Sequence, residues 1–575
     1  MDMSTSSVPW LDQPVMLHSS RADSCTLTPA QCAYRRGHWR YWYQADHVYG
    51  LETIYFMCAT IGIFVVAHLF STYAPRRLSR NKISNNIRAV LRYLSYRGLS
   101  WSPGIGVSLL ILAGTVFFFA MTLGPKPYYW PNTKTVNFGS SPPIATRSGW
   151  MALGLLPFVL ALSTKANLIS AVTGISYEKL QIFHHWTSYA MFVLALVHTF
   201  PFIVYHISKG DMVTQWQTQV TYWTGVVTII SQAYLTFMSL PCIRNRYYEF
   251  FKATHILAAI VFVVFFFLHC DFRLSSWDYF IATGTIYFFC LLYSLIRTYL
   301  FHGLHTATLT LLPCGLLEIR IPTVISWTPG QHVFIRFLTL GIHSLTAHPF
   351  TIASAAQETE KCGHPSEMTF HVKPQGGLTA RLAKLAENHP NVRVRVLLDG
   401  PYGGVNTDML ARLDTLLVIA GGSGAGFSLG VVEDSLRRYY QKENTRSHRQ
   451  RIQIVYATRQ QAVAECAVAG AGNDAEKNIT TTKPASTTEN RTTIHIHKAE
   501  GRPDLKAIIS SSSSSSTANT NDDDIRRGSR SIGIVVCGPT SMIQDVRNAV
   551  AKEQLRVLRE KNQEMEVYLH AEHFS

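Results

Sequence analysis

Residues 183–200 read FHHWTSYAMFVLALVHTF, and residues 254–269 read THILAAIVFVVFFFLH. The first stretch carries His184 and His198, and the second carries His255 and His269. In both stretches the two histidines are 14 residues apart. On an α-helix this separation makes about four turns and a rise of about 21 Å. Each stretch therefore predicts a helix with two imidazoles on one face, one near each side of a bilayer core about 30 Å thick.

Histidines at membrane depth need a chemical reason, because ionisable side chains are costly there. Neutral imidazole is a good iron ligand, and two facing helices can hold two stacked haems by their axial positions. If the two helices run parallel, His184 and His255 are the predicted ligands of one haem, and His198 and His269 those of the other. A lone histidine such as His68 is more simply a helix-end residue bonded to a neighbouring carbonyl.

The composition divides the chain between membrane and water. Of its 575 residues, 47% are apolar, and the mean hydropathy is +0.09. This is too apolar for a wholly soluble protein and too polar for a wholly embedded one. The net charge is +16, and seven basic residues lie together beside an apolar segment, between Arg76 and Arg97. Such a cluster is typical of the cytosolic flank of a membrane helix, and we expect no nucleic-acid partner.

The ten cysteines are scattered without a CxxC pair, so the sequence indicates neither a zinc site nor a redox dithiol. Cys25 and Cys32 lie in the N-terminal tail, where their separation permits a disulfide if the tail is outside the cytosol. The first apolar stretch begins only near Leu51, so no signal peptide is expected before them.

Seven apolar segments predict membrane helices. They lie at about 51–74, 104–124, 149–163, 184–205, 218–240, 250–270 and 277–300. If the basic loop after the first segment is cytosolic, the N-terminus lies outside and the chain end inside. His184 and His255 would then lie near the cytosolic face, and His198 and His269 near the outer face.

After the last segment the pattern changes twice. Short β-rich runs broken by Gly and Pro predict an antiparallel β-barrel. From Thr415, strands alternate with helices, which predicts a parallel doubly wound sheet. The expected domains are an extracytosolic, irregular tail (1–48), a helical transmembrane domain (49–302), the barrel (303–410) and the α/β domain (411–575). Inserts at about 463–492 and 510–530 are predicted to be disordered, and the sequons at Asn478 and Asn490 fall in the first.

The barrel contains the motif HPFTIAS, which runs from His348 to Ser354. It resembles the flavin-binding signature of the ferredoxin–NADP reductase superfamily, in the form found in ferric reductases and NADPH oxidases. The resemblance implies that the motif binds FAD and that Thr351 approaches the flavin ring. The implied contacts of the motif with FAD are His348, Pro349, Phe350 and Thr351. Downstream, Gly377 and Thr379 open a predicted helix, whose N-terminus suits the flavin pyrophosphate.

Four motifs in the α/β domain are similar to the NADPH-binding motifs of this family. GGSG begins at Gly421 after a buried strand and opens a helix, as a dinucleotide-binding turn does. The corresponding residues are Gly421, Gly422 and Gly424, then Arg459, Arg502, Cys537, Gly538 and Pro539. Arg459 stands where relatives hold the 2′-phosphate of NADPH, although an exposed arginine at a strand end is an equally simple explanation. Relatives place an aromatic side chain near the chain end over the flavin, which is the role implied for Phe574.

The whole pattern resembles the fungal ferric reductases, which are membrane flavocytochromes with two b-type haems. The resemblance implies electron transfer from cytosolic NADPH through FAD and two haems to outer ferric, and also cupric, chelates. It implies a plasma-membrane location, with a vacuolar membrane as the alternative, and a functional link to an iron permease. Two alternatives remain open: an NADPH oxidase that makes superoxide, and a nonenzymatic haem protein of the membrane.

Overall fold

The computed structural model describes residues 27–573 apart from 39–48, 74–81, 99–103, 139–140, 272–274, 342–343, 345, 357–365, 442–449, 458–491, 498–502, 515–529 and 560–564. The chain divides into two compact units. One consists of Met1–Tyr73 and Leu110–Tyr293, and the other of Ala74–Leu109 and Ser294–Ser575. Both predicted sequons and nearly all of the first predicted insert lie outside the described residues.

The apolar half of the chain is helical. In chain order its helices are α1 Pro29–His38, α2 Leu51–Tyr73, α3 Lys82–Tyr96, α4 Ile105–Leu123, α5 Pro143–Ser163, α6 Leu168–Thr173, α7 Tyr177–Lys209, α8 Met212–Thr218, α9 Val220–Met238, α10 Pro241–Arg244, α11 Tyr248–Cys270 and α12 Ser276–Ile296. Helix α12 continues as a π-helix over Arg297–His302. Helix α3 belongs to the second unit, and the others lie wholly or largely in the first.

Helix α1 lies in the tail that the sequence predicts to be irregular, so that prediction is wrong for Pro29–His38. Proline at the first helical position is pre-organised for a helix, and the Ala, Gln and Arg residues that follow favour one. Cys32 on this helix is disulfide-bonded. Cys25, its expected partner, lies outside the described residues.

Among the described residues, six helices are long and apolar enough to cross a membrane: α2, α4, α5, α7, α11, and α12 with its π-helical end. They account for six of the seven predicted segments, and the remaining segment forms the 19-residue helix α9. Helix α5 is the least apolar of the six, and 83% of its most apolar 18-residue stretch is buried, against 11–17% for the corresponding stretches of the others. A helix enclosed by protein needs fewer apolar residues than one facing lipid, so α5 is the central helix of this unit.

The second unit begins with an antiparallel sheet. Its strands are β1 Leu304–Leu311, β2 Leu317–Thr323, β3 Gln331–Phe337, β4 His348–Thr351, β5 Ser366–Val372 and β6 Val392–Gly403, in the order β4-β3-β6-β1-β2-β5. Alternate residues face the core, where Leu309, Ile319, Ile335 and Phe370 are fully buried. Two helices accompany this sheet, α13 Leu378–Asn388 and α14 Thr407–Leu410. The predicted antiparallel β-lobe is confirmed, as a six-stranded sheet; it is called the flavin lobe below, after the resemblance of its HPFT motif.

A parallel sheet follows. Its strands are β7 Thr415–Gly421, β8 Arg451–Ala457, β9 Thr492–His497, β10 Arg530–Gly538 and β11 Met565–His573, in the order β11-β10-β7-β8-β9. Its helices are α15 Ala425–Gln441, α16 Leu505–Ser514 and α17 Thr540–Arg559. The predicted doubly wound lobe is therefore confirmed. The sequence predicted neither β9, which is short and follows the Thr-rich insert, nor β11 at the end of the chain.

Helix α16 runs into the second predicted insert, so disorder from residue 510 onwards is a wrong prediction for Ser510–Ser514. Serine competes with the helical backbone for hydrogen bonds, which made a serine run suggest a loop. Here the hydroxyls of Ser510 and Ser511 bond back to the carbonyls of Ala507 and Ile508. The hydroxyl of Ser512 also donates to Gln453 of β8 at 2.8 Å.

Candidate functional site

Each of the four predicted iron ligands bonds to a neighbouring helix through its Nδ1 atom. The Nδ1 atoms of His184 and His198 lie 2.9 and 2.8 Å from the carbonyl oxygens of Val159 and Ala145, both on α5. The Nδ1 atom of His269 lies 2.7 Å from the carbonyl oxygen of Thr221. A carbonyl only accepts, so each Nδ1 carries the proton and donates. This tautomer makes Nε2 the atom that can bind a metal.

The Nδ1 atom of His255 also has a hydrogen-bond partner, but this partner is a hydroxyl group and not a carbonyl. Its Nδ1 atom lies 3.2 Å from the Oγ atom of Ser239, and this hydroxyl donates its own hydrogen to the carbonyl of Leu235. The Oγ atom therefore accepts from His255 Nδ1–H. All four imidazoles thus have the same tautomer and a fixed ring direction, a feature of metal-ligating histidines.

Two glycines allow the rings of His198 and His269 to approach the neighbouring helices closely. A Cβ atom built on Gly149 would lie 2.5 Å from Nδ1 of His198, and one on Gly225 would lie 2.8 Å from the ring of His269. No side chain fits at either position without moving the ring. The rings of His198 and His269 are nearly perpendicular, with their centroids 5.8 Å apart.

The ring of His184 lies beside that of His185, with the two centroids 5.9 Å apart. The Nε2 atom of His185 lies 3.5 Å from the guanidinium of Arg244. His185 therefore has a polar partner of its own. The donor set, histidines on α7 and α11 with Nε2 as the ligand atom, would suit haem iron.

Sequence reasoning missed Arg147, which lies two residues from Ala145 on α5 and is fully buried. Its Nε atom donates to the carbonyl of Thr122 at 2.9 Å, and one Nη atom donates to that of Pro125 at 2.8 Å. The sequence feature that could have identified Arg147 is its position as a single arginine just before the predicted apolar segment 149–163. Its side chain fixes the connection between α4 and α5 beside His198.

In the flavin lobe, the HPFT motif forms strand β4, whose side chains alternate between two faces. Phe350 is buried and packs edge-on against Phe337, whereas Pro349 and Thr351 are exposed. Thr351 pairs with His332 of β3, and His348 lies within 3.1 Å of the Thr346 hydroxyl. The outward face of β4 is therefore the one that can contact a flavin.

Gly377 and Thr379 open helix α13 as predicted. Gly377 is the N-cap residue with φ +68°, and its surroundings are open. The Thr379 hydroxyl accepts from the backbone N–H of Gln375 at 3.0 Å. The exposed start of an eleven-residue helix offers backbone N–H groups and a positive dipole end to a phosphate.

The GGSG and CGP motifs, far apart in sequence, meet at the carboxyl ends of two neighbouring strands. Cys537 of β10 pairs with Ala420 of β7. A Cβ atom on Gly424 would lie 2.5 Å from the carbonyl oxygen of Cys537, so only glycine permits this approach. Gly421 and Gly538 both pack against Met542, while Gly422 and Pro539 are exposed beside them. Such an edge, opening into a helix, is where doubly wound sheets bind dinucleotides.

Helix α15, which follows the GGSG turn, also packs on the flavin lobe. The backbone N–H of Ala355 donates to the Glu433 carboxylate at 2.8 Å, and Arg437 donates to the carbonyl of Ala356 at 3.1 Å. Arg437 also pairs with Glu433. These contacts, which the sequence did not predict, hold the segment that follows strand β4 against helix α15. Arg459, Arg502 and Phe574 lie outside the described residues.

Three family models match the chain in the order of these parts. The ferric reductase like transmembrane component matches residues 148–266, the FAD-binding domain residues 301–406, and the ferric reductase NAD binding domain residues 448–551. The chain therefore has a membrane ferric reductase region followed by FAD-binding and NAD-binding domains.

Fungal ferric reductases are among the similar proteins. The chain is 32% identical over 365 residues to "Probable cell surface ferric reductase kap2" of Aspergillus oryzae. This alignment covers 59% of this chain and 48% of the relative. It is 31% identical over 365 residues to "Ferric/cupric reductase transmembrane component 7" of Saccharomyces cerevisiae, covering 60% and 56%. The chain thus spans about half the length of these curated relatives. Among solved structures, a ferredoxin-NADP+ reductase from Plasmodium falciparum is 12% identical with a TM-score of 0.30, covering 47% of this chain and 97% of its own.

Proposed function

Because the chain belongs to the ferric reductase family, we propose that it is a transmembrane oxidoreductase that transfers electrons from NADPH to ferric chelates. The observation that carries the proposal is the common tautomer of four histidines on two helices. A single bonded histidine is ordinary, whereas four with Nδ1 protonated and Nε2 as the ligand atom fit two bis-histidine haems.

The residues of the chain have separate tasks in this reaction. His184 with His255, and His198 with His269, would hold the two haem irons. Bound FAD supplies the chemistry that links a two-electron hydride donor to one-electron haem acceptors. The outward face of β4 would hold the flavin ring, and the N-terminus of α13 its pyrophosphate. Gly421, Gly422, Gly424, Cys537, Gly538 and Pro539 would form the NADPH edge, with Arg459 and Arg502 as further contacts and Phe574 over the flavin.

The proposed direction of electron transfer across the membrane rests on the position of the basic residues in the connection between α2 and α4. We propose that the loop with the basic residues between Arg76 and Arg97 lies in the cytosol and that α9 crosses the membrane together with the six helices named above; the chain end then also lies in the cytosol. NADPH would thus be oxidised in the cytosol and the chelate reduced on the opposite side, at the plasma membrane or a vacuolar membrane. Ferric chelates are the proposed substrate, with cupric ion as a second acceptor. The ferrous product would suit a separate permease, so the reaction would support iron uptake.

The test uses membranes from cells that express the chain. NADPH is added, and haem absorbance, ferrous ion and superoxide are followed for wild type, His198→Ala and His68→Ala. We expect NADPH to reduce the haems and produce ferrous ion, His198→Ala to abolish the ferrous product, and His68→Ala to retain it. Ferrous production that superoxide dismutase abolishes would identify an NADPH oxidase instead. Haems that do not respond to NADPH would contradict the proposed reaction.

A further inference from the structure

Helix α3 has two faces of opposite character. One face, which contains Ala89, Arg92 and Tyr96, packs on the α/β lobe, and Ala89 is only 3% exposed there. The other face carries an apolar stripe. Its members are spaced at helical intervals along one side: Ile83, Ile87, Val90, Leu91 and Leu94.

The stripe is open to its surroundings, although its residues are aliphatic. Ile83 is 67% exposed, Ile87 55%, Val90 43% and Leu91 59%. Single exposed apolar residues are common on proteins, but a continuous stripe of them usually marks an interaction surface. The stripe lies on the side of α3 opposite Arg92, so the α/β lobe cannot cover it.

The chain brings α3 near a bilayer at both of its ends. The spanning helix α2 ends at Tyr73, nine positions before Lys82, and the spanning helix α4 begins at Ile105, nine positions after Tyr96. At about 3.5 Å per residue, neither connection reaches further than roughly 30 Å. The C-terminal end of α2 and the N-terminal end of α4 lie at the same membrane face, since this connection joins them.

The charge of this connection matches a lipid surface. Residues 74–104 contain seven Arg and Lys residues and no Asp or Glu. An apolar stripe flanked by basic residues is the pattern of a helix that lies in the headgroup region of an anionic leaflet.

We infer that the apolar stripe of α3 inserts into the anionic surface of the membrane that the chain crosses. The occupant of the stripe is lipid: acyl chains contact the aliphatic side chains, and the positive charge of the connection attracts anionic headgroups. The opposite face of α3 is bonded to the α/β lobe: Arg92 pairs with Glu566 at 2.9 Å, and the backbone N–H of Leu569 donates to the Tyr96 hydroxyl at 3.1 Å. Helix α3 therefore anchors that lobe at the membrane surface.

The experiment places the photoreactive residue p-benzoylphenylalanine at Leu91 of the full-length protein, purified into lipid nanodiscs. One set of discs contains phosphatidylcholine alone, and the other also contains phosphatidylserine. The matched control carries the same residue at Lys552, which is exposed on helix α17 of the same lobe. After illumination, mass spectrometry identifies what is joined to each peptide.

We expect phospholipid adducts at Leu91 and none at Lys552, with a yield roughly fivefold higher in discs containing phosphatidylserine. A second variant, with the photoreactive residue at Ile83, should give the same result. Three outcomes would overturn the inference: no lipid adduct at either stripe position, adducts only to a second protein chain, or equal yields in the two kinds of disc. The cross-link requires no electron transfer, so it is independent of the proposed reaction.

Discussion

At the scale of single residues, Gly424 and Cys537 show how closely the dinucleotide edge is packed. A Cβ atom on Gly424 would meet backbone, the carbonyl oxygen of Cys537 at 2.5 Å, whereas one on Gly426 would have its nearest neighbour at 3.7 Å. We therefore expect Gly424→Ala to lower the free energy of unfolding by about 1–3 kcal/mol and to weaken NADPH binding. The measurements are thermal unfolding and the Kd for NADPH.

The matched control is Gly426→Ala, two positions further into helix α15. Alanine is a better helix former than glycine by about 1 kcal/mol, and ordinary contact distances leave room for its methyl group. This variant should be as stable as wild type or slightly more stable. Equal losses in the two variants would show that the approach to Cys537 is not what makes Gly424 necessary.

The Cys537 thiol itself gives a pH prediction. Burial raises its pKa to about 12. A raised thiol pKa favours the neutral form, so the nucleophilic thiolate is scarce until the pH approaches that value. At pH 8 we expect iodoacetamide to label the exposed Cys242 and to leave Cys537 unmodified, as peptide mass spectrometry can show. Rapid labelling of Cys537 in the folded protein would contradict this.

At the scale of elements, one carboxylate connects the end of helix α12 and its π-helical continuation to the flavin lobe. Asp399 of β6 accepts from Arg297 at 2.9 Å, Ser294 at 3.1 Å and Tyr402 at 2.7 Å. The Arg297 guanidinium also lies over the Tyr402 ring, 4.5 Å from its centre. Burial, together with the Asp399 charge, raises the pKa of Tyr402, so its hydroxyl remains a donor.

Because Arg297 and Asp399 are both mostly buried, removing either one leaves a buried charge without its partner. We expect Arg297→Met and Asp399→Asn each to cost about 3 kcal/mol of stability, and the double variant to cost less than their sum by about 1–3 kcal/mol. Chemical unfolding of the four proteins in detergent, followed by flavin fluorescence, measures this. Additive losses would mean that the two side chains act independently.

At the scale of the whole molecule, the prediction concerns orientation. The proposed topology places the α9–α11 connection, with exposed Cys242, in the cytosol. A membrane-impermeant maleimide should therefore fail to label Cys242 in intact cells and label it after permeabilisation. Cys242→Ser identifies the signal as coming from this residue. Labelling of Cys242 in intact cells would reverse the orientation and the direction of electron transfer.

The sequence by itself determined the repeated histidine spacing, most of the apolar helices, and the order of flavin and dinucleotide lobes. These features depend on local periods: four helical turns between His184 and His198, alternation along β-strands, and glycines where a strand turns into a helix. A chain in apolar surroundings must satisfy its backbone within each helix, so length and hydropathy suffice to predict membrane helices. The motifs around Thr351 and Gly424 could likewise be identified from the sequence, because each consists of residues that are consecutive in the chain.

Only the tertiary structure decided which groups from distant parts of the chain meet. The carbonyl of Ala145 sets the tautomer of His198, Arg147 is buried beside it, and Cys537 excludes a side chain at Gly424. The contact between Arg92 and Glu566 joins residues 474 positions apart. No local pattern encodes such pairs, because their free energy arises only when helices and strands that fold separately are packed together.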